Sequence, residues 1–185
     1  MSDVHTPEQR SRNMAAVRGR DTKPELELRR ALHGLGFRYR LNVRTLPGTP
    51  DLVLPARNAL LFVHGCFWHG HDCPLFVLPR ARRDFWLDKI GRNQLRDRQH
   101  HDRLHDAGWR IGTVWECAMR GRSSPGVTAT AATVERFLRS ADCREMYFRD
   151  NGAHAGAGHP LSLAERFGSA QVSGSDEGNL DRGAV

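Results

Sequence analysis

The segment 60–73 constrains the fold of this chain more than any other. It opens within a strand-like apolar run, Ala59–Val63, and then holds three histidines, two cysteines and two adjacent aromatic residues. A short loop does not bury so many polar side chains for packing alone, because each unpartnered imidazole or thiol costs free energy. The chain must therefore fold so that these side chains find partners.

A metal ion is the partner that this residue pattern favours. Sulfur and imidazole ligands at close spacing suit tetrahedral zinc, for which Cys66, His71 and Cys73 offer three ligands and the distant Cys117 can complete the site. His64 and His69 then remain for other chemistry. The alternative is solvated loop histidines and buried thiols, but five ligand-type residues within ten positions argue against it.

Composition narrows the class of protein. With 185 residues and 39% hydrophobic content, the chain can bury one core, so we expect one domain with tails. A formal net charge of +7 favours a nucleic-acid partner, although it also serves solubility. No apolar run approaches the roughly 20 residues that span a bilayer, and no apolar signal segment is present, so we expect a cytoplasmic protein without membrane contact. The crowding of cysteines beside histidines fits a metal in a reducing compartment better than disulfides.

Three regions follow from the order of the patterns. Residues 1–20 predict a basic helical arm, in which arginines such as Arg12 flank a small apolar patch around Met14; it is either a frayed end or an arm along a phosphate backbone. Residues 21–149 predict one α/β domain. Residues 150–185 are rich in glycine and alanine without sustained periodicity, so we expect a disordered tail.

The domain pattern alternates helices and strands. A capped helix is predicted from Thr22 to Gly36, with Glu25 either as the capping carboxylate or close to a metal. The other predicted elements are strands at Phe37–Leu41, Asp51–Leu54, Ala59–Val63 and Trp109–Trp115, and helices at residues 84–108 and Ala129–Arg139.

The strands on either side of residues 55–58 should form an antiparallel hairpin, because turn-forming residues separate them. Antiparallel pairing brings Asp51, at the start of one strand, beside His64, at the end of the other. A carboxylate placed there can hold a divalent cation. The alternative for Asp51 is a turn residue that follows a proline.

The long helix predicted after Asp84 has two kinds of surface. Trp86, Asn93 and Asp97 share one face, while Lys89 and several arginines supply positive charge elsewhere. Charged helix surfaces are usually only solvated. Beside an aromatic-rich loop, however, this one favours contact with DNA.

The element order resembles that of restriction-endonuclease-like nucleases, which place a metal-binding carboxylate on the second strand. Six motifs narrow the resemblance, and they are Arg10-Ser11-x-Asn13-Met14, Arg20-Asp21-Thr22, Leu46-Pro47-Gly48-x-Pro50-Asp51, His64-Gly65-Cys66-Phe67-Trp68-His69, Phe85-Trp86-x-x-Lys89-Ile90 and Val114-Trp115-Glu116-Cys117. Together they resemble the very-short-patch-repair mismatch endonucleases over about Val4 to Phe137. The resemblance implies a mixed central sheet flanked by helices, with a structural zinc site.

The same resemblance implies a reaction, namely magnesium-dependent hydrolysis of the phosphodiester 5′ of the thymine in a T·G mismatch left by deaminated 5-methylcytosine. It implies zinc at the four positions given above, and magnesium at Asp51 and the Val63 main-chain carbonyl. Threonine is common at position 63 in the family, so any hydroxyl contribution is lost here. The remaining implied roles are a general base at His69, an orienting partner at Asp97, a phosphate contact at His64 and a supporting carboxylate at Glu25.

The implied DNA contacts combine a wedge with a basic grip. Flat apolar side chains can replace a stacking partner at a weakened base step, which is the role expected of Phe67, Trp68 and Trp86. The alternative is ordinary core packing, which fits Trp86 better than the Phe67-Trp68 pair on a polar loop. Arg12, Met14 and Lys89 are the other expected contacts. We expect a nucleoid-associated monomer whose partners are mismatched double-stranded DNA and mismatch-repair factors.

Two other functions remain open at this point. One is a zinc-stabilised module that binds distorted DNA without cutting it, which Asp51 disfavours because binding alone requires no carboxylate aimed at a phosphate. The other is a restriction endonuclease of related fold that acts on intact sites.

Overall fold

A six-stranded mixed β-sheet forms the centre of the computed structural model, which describes Gln9 and residues 19–155. In spatial order the strands are β1 (Arg40–Leu41), β2 (Leu52–Leu54), β3 (Ala59–His64), β4 (Arg110–Trp115), β5 (Glu145–Arg149) and β6 (Gly152–Ala155). The predictions for most of the arm, including Arg12 and Met14, and for the tail after Ala155 lie outside the described residues.

The pairing of the strands explains the mixed character of the sheet. β3, β4 and β5 are parallel to one another, while β1–β2, β2–β3 and β5–β6 are antiparallel. The predicted hairpin is confirmed, with Leu52 opposite Leu61. A short 3-10 helix, Pro55–Arg57, makes its turn and ends at Asn58, whose φ of 46° is left-handed.

Helices cover both faces of the sheet. They are α1 (Lys23–Gly34), α2 (Arg83–Asp106), α3 (Glu116–Met119) and α4 (Gly126–Arg139). Leu28 of α1 and Phe137 of α4 pack with the β3 residue Leu61 on one face. Leu104 of α2 packs with Leu60 on the other, because successive strand residues point to opposite sides. The predicted α/β architecture with a helix-flanked mixed sheet is therefore confirmed.

Two predicted boundaries are wrong. The strand expected at Phe37–Leu41 is only Arg40–Leu41, since the Phe37 N–H donates to the Leu32 carbonyl and closes the end of α1. The tail expected to be disordered from residue 150 contains β6, and β5 was not predicted at all. The α/β domain therefore extends through Ala155.

Among the helices in the described part of the chain, none has both the length and the apolar character needed to cross a membrane.

Candidate active site and metal centre

The four residues predicted to bind zinc converge at the carboxyl ends of β3 and β4. The ligand atoms of Cys66, His71, Cys73 and Cys117 lie within 4.8 Å of one another. Strand β3 leads directly to Cys66, while β4 delivers Cys117 from the parallel neighbour. All four cysteines of the chain are free of disulfides. Three thiols and one imidazole at this separation fit a tetrahedral zinc ion.

The pKa values of the Cys66 and Cys117 thiols depend on each other. A hydrogen bond from Cys66 lowers the pKa of the Cys117 thiol to about 5, helped by His71, whose Nδ1 lies 3.5 Å from the Cys117 sulfur. The same hydrogen bond and burial raise the pKa of Cys66. A thiolate poised beside two further thiols is the donor set that a soft cation would stabilise.

The indole of Trp115 contacts both this centre and a second group of polar side chains. Trp115 is 2% exposed, and its ring stacks on His71 at a centroid distance of 4.2 Å. It also makes T-shaped contacts with His64, at 5.3 Å, and His69, at 6.3 Å. The sequence motif contained Trp115, but its contacts with both groups emerge only from the fold.

The second group lines a cavity of about 290 Å³ on the α2 side of the sheet. Its lining combines carboxylates, imidazoles and basic or polar groups, including Asp51, Val63, His64, His69, Asp97, Arg20, Asn42, Arg44, His100 and His101. The cavity therefore brings Asp51, the carboxylate expected to hold a cation, close to Asp97, the expected partner of His69. It also contains His64 and His69, the two loop histidines that are not part of the thiol centre.

Asp51 reaches the end of β3, as the hairpin predicted. Its Oδ2 accepts a hydrogen bond of 2.7 Å from the Val63 main-chain N–H. Burial raises the pKa of Asp51 to about 6, against the opposing effects of the Val63 hydrogen bond and the charge of Arg29. A partly buried carboxylate that is costly to ionise alone, at the edge of a polar cavity, fits a divalent cation, since the cation favours the ionised form.

His64 and His69 stack face to face in the cavity. Their ring centroids are 3.8 Å apart, with an interplanar angle of 5°. His69 Nδ1 lies 2.6 Å from Asp97 Oδ2, so the carboxylate fixes the orientation of the ring and leaves Nε2 for chemistry. The predicted pairing of His69 with Asp97 is present. His64 is 6% exposed and pairs in register with Trp115 on β4.

Helix α2 holds the loop that carries His69. The side-chain amide of Asn93 donates to the Trp68 carbonyl at 2.9 Å, and that of Gln94 donates to the His69 carbonyl at 3.2 Å. With Asp97, these residues form a polar face on α2. The sequence pattern placed Asn93 and Asp97 on one face but gave Gln94 no role.

The predicted wedge residues form one aromatic cluster. Phe67 makes edge contacts with Trp68 and Trp86 at centroid distances of 5.2 Å each, and Trp68 lies 6.2 Å from Trp86. All three are half-buried, and Phe67 and Trp86 also pack against the buried Ile90. Lys89 lies nearby on α2 and is half-buried. The cluster is a platform with one apolar side anchored in the domain.

Glu25 does not line the cavity. Its carboxylate accepts a hydrogen bond from the Thr22 main-chain N–H at 3.2 Å and forms an ion pair with Arg29. The capping interpretation is confirmed. Arg29 also contacts Asp21 at 2.6 Å and was not singled out in the sequence, because one arginine in a helix rich in charges carries no signal for burial.

A partly buried carboxylate at the edge of a polar cavity, beside an oriented imidazole and in a basic chain, is typical of a metal-dependent phosphodiesterase. Comparisons with known proteins refine that class. Residues 2–75 match the family model described as DNA mismatch endonuclease Vsr. The chain is 45% identical over 138 residues to DNA mismatch endonuclease Vsr of Escherichia coli (strain K12), covering 75% of this chain and 88% of that relative.

Nicking enzymes are similar as well. Over 119 residues the chain is 47% identical to the type II nicking enzyme V.XorIIP of Xanthomonas oryzae pv. oryzae, covering 64% of this chain and 88% of the relative. Over 123 residues it is 39% identical to the type II nicking enzyme V.NmeAIP of Neisseria meningitidis serogroup A, covering 66% and 88%. The chain belongs to the Vsr family of DNA mismatch endonucleases and is a DNA endonuclease.

Proposed function

We propose that the protein is a strand-specific, magnesium-dependent endonuclease that nicks 5′ of the thymine in T·G mismatches arising from deaminated 5-methylcytosine. The observation that carries the proposal is the convergence of Asp51, His64 and His69 on one cavity of a Vsr-family chain. The E. coli relative is named a mismatch endonuclease, and several others are named nicking enzymes.

The magnesium ligands proposed are the Asp51 carboxylate and the Val63 main-chain carbonyl. The Val63 N–H already bonds to Asp51 Oδ2, so the strand end and the carboxylate are adjacent. Magnesium bound there would neutralise charge on the scissile phosphate and on the leaving oxygen. The loss of a threonine hydroxyl at position 63 does not affect a main-chain ligand.

His69 is the proposed general base. Asp97 holds its Nδ1 at 2.6 Å, which directs the other ring nitrogen toward the cavity and stabilises the protonated ring after it takes a proton from water. His64, stacked beneath it, is the proposed phosphate contact. Glu25 is proposed only as a supporting carboxylate, acting from behind the cavity through the charge network of Arg29.

A zinc ion at Cys66, His71, Cys73 and Cys117 is proposed to be structural. The donor set is closed by protein ligands, which leaves no position for substrate and is the pattern of structural zinc. The carboxylate directly before β2 and the helix-flanked mixed sheet support a restriction-endonuclease-like core.

Recognition is proposed to combine a wedge and a basic grip. Phe67, Trp68 and Trp86 would replace base stacking at the mismatch, since their cluster is anchored on one side and half-exposed on the other. Lys89 and the arm residues Arg12 and Met14 are the proposed accessory contacts. A nucleoid-associated monomer that meets mismatch-repair factors remains part of the proposal.

A nicking assay tests this function. Duplexes that differ only at one position, carrying T·G, T·A or C·G, are end-labelled on each strand and incubated with magnesium. The proposal predicts one nick, on the thymine strand, 5′ of that thymine, in the T·G duplex alone. Equal cleavage of the matched duplexes would instead indicate a restriction endonuclease, and cleavage of both strands would contradict strand specificity.

A further inference from the structure

Helix α2 meets the rest of the domain through an unusual mixture of contacts. It has 24 residues, yet its buried ones are Ile90, Gln94, His101 and Leu104, and two of these four are polar. Ile90 and Leu104 pack toward opposite ends of the helix, in separate apolar clusters. Asp97 lies midway between them. Its position therefore depends on polar contacts made by the middle of α2.

A carboxylate on β5 holds the last third of the helix, directly after Asp97. Glu145 Oε1 lies 3.0 Å from His101 Nδ1 and accepts a 2.6 Å hydrogen bond from the Tyr147 hydroxyl. Its Oε2 lies 3.4 Å from His105 Nε2. Burial alone would raise the pKa of Glu145, but the hydrogen bonds from His101 and Tyr147 and the nearby histidine charges bring it below its usual value. Glu145 is an ionised anchor with three donor groups around it.

His101 carries this anchor to the cavity. It is 3% exposed, lines the cavity, and stacks on Phe62 with ring centroids 5.3 Å apart at 19°. Phe62 precedes Val63 on β3. His101 also lies one helical turn after Asp97, so the two side chains share one face of α2. His69 and Asp97 thus line the cavity as one imidazole–carboxylate pair, and His101 lines it as the imidazole of a second pair whose carboxylate, Glu145, lies outside the lining.

We propose that Glu145 and His101 are positioning residues for nicking, because their contact fixes the register of α2 on the sheet and so holds Asp97 against His69. This inference rests on the proposed role of His69 as general base. Hydrogen bonds weaken steeply with distance and angle, so a small slide of α2 would release the ring of His69. Neither residue belongs to the motifs that carry the family resemblance.

Removal and restoration of the anchor test the proposal. Glu145→Ala removes every side-chain acceptor, and we expect kcat for nicking an intact duplex to fall about tenfold, the lower end of the effect of partners that orient functional histidines, with KM changed less than about twofold. Glu145→Gln keeps an acceptor oxygen and should recover most of that loss. His101→Phe keeps the stack on Phe62 but not the hydrogen bond, and should resemble Glu145→Ala. Glu135→Gln, which breaks a surface pair with Arg139, is the matched control and should nick normally.

A double-mutant cycle separates positioning from general loss of stability. If Glu145 acts through Asp97, Glu145→Ala should cost about tenfold in the wild-type background and less than about twofold in Asp97→Asn. Equal costs in both backgrounds, or unchanged kcat in folded Glu145→Ala and His101→Phe, would overturn the inference, and so would normal nicking by Asp97→Asn. The cycle uses whichever duplex the wild-type protein nicks with magnesium. A failure of T·G preference is therefore seen separately, in the wild-type protein.

Discussion

The two polar centres on either side of Trp115 are built from one loop but differ in ligand type and access. The thiol centre is closed, with Cys66 0% and Cys117 2% exposed. The cavity is open, with 23% of the His69 side chain and 14% of the Asp97 side chain exposed. Soft sulfur ligands favour zinc, whereas carboxylate and carbonyl oxygens favour magnesium.

The difference shows how alternating residues of a short loop can serve two chemistries. His64 and His69 face the cavity, while Cys66 and His71 face the thiol centre, and the indole of Trp115 contacts three of these four. A closed centre contributes folding free energy, and an open one contributes a reacting surface. Substitutions on the two sides of Trp115 should therefore affect different properties.

The largest effect is expected from Cys73→Ala. Loss of one ligand from a closed zinc site removes binding free energy on the order of 10 kcal/mol from the folded state. The variant should lose zinc and fail to show a cooperative thermal transition. Cys143→Ala is the matched control, because Cys143 lies outside the cluster and the one described hydrogen bond of its thiol is to the Glu145 carbonyl. The assignment would be contradicted if the wild-type protein contained no zinc, or if Cys73→Ala unfolded at the same temperature as wild type.

Asp51→Asn should leave zinc, fold and DNA affinity in place and abolish chemistry. The amide keeps the shape of the side chain but cannot neutralise a divalent cation. Stabilisation by such a cation is worth several kcal/mol, so the single-turnover nicking rate should fall at least about a thousandfold. Nicking at a near wild-type rate in magnesium would move the catalytic site elsewhere. Zinc loss in this variant would mean that the two centres are not independent.

His69→Ala should be less severe. If His69 is only a general base, the nicking rate should fall about 10²–10⁴-fold. Zinc content should remain that of wild type, although His69 lies only two residues from the ligand His71. His71→Ala provides the contrast, since it should lose zinc and stability. Identical behaviour of the two variants would remove the functional boundary at Trp115.

The smallest expected effect concerns recognition. Stacking of an aromatic on a base contributes about 1–3 kcal/mol. Trp68→Ala should therefore lose preference for T·G over T·A duplex more than it loses total affinity, as measured by competition binding. Arg12→Ala should weaken binding to both duplexes alike. Equal losses on both duplexes in the Trp68 variant would contradict the wedge.

Local sequence signals predicted much of this arrangement. The apolar run of β3, the turn before it and the ligand spacing after it were sufficient to place Asp51 at the strand end and three thiol-centre residues in one loop. Cys117 could be offered as the fourth ligand only because it follows another predicted strand. The hairpin could be predicted because antiparallel pairing across a short turn leaves little freedom in the register of the two strands.

Non-local contacts explain what the sequence pattern missed. The four residues of β6 are all exposed, so its pairing with β5 depends on the main chain and leaves no apolar signal. Glu145 gains its role only when β5 lies beside β4 and under α2. The contacts of Trp115 with both centres likewise depend on the parallel pairing of β3 with β4, which joins residues about 50 positions apart.

The most direct test of the two-centre account is a metal-exchange measurement on the wild-type protein. The protein is treated with a chelator that removes magnesium, its zinc content is measured, and nicking of the T·G duplex is followed before and after magnesium is added. The account predicts one zinc per chain throughout, no nicking without magnesium and full nicking once magnesium returns. Nicking without added magnesium, or magnesium-restored nicking by a folded chain that contains no zinc, would contradict it.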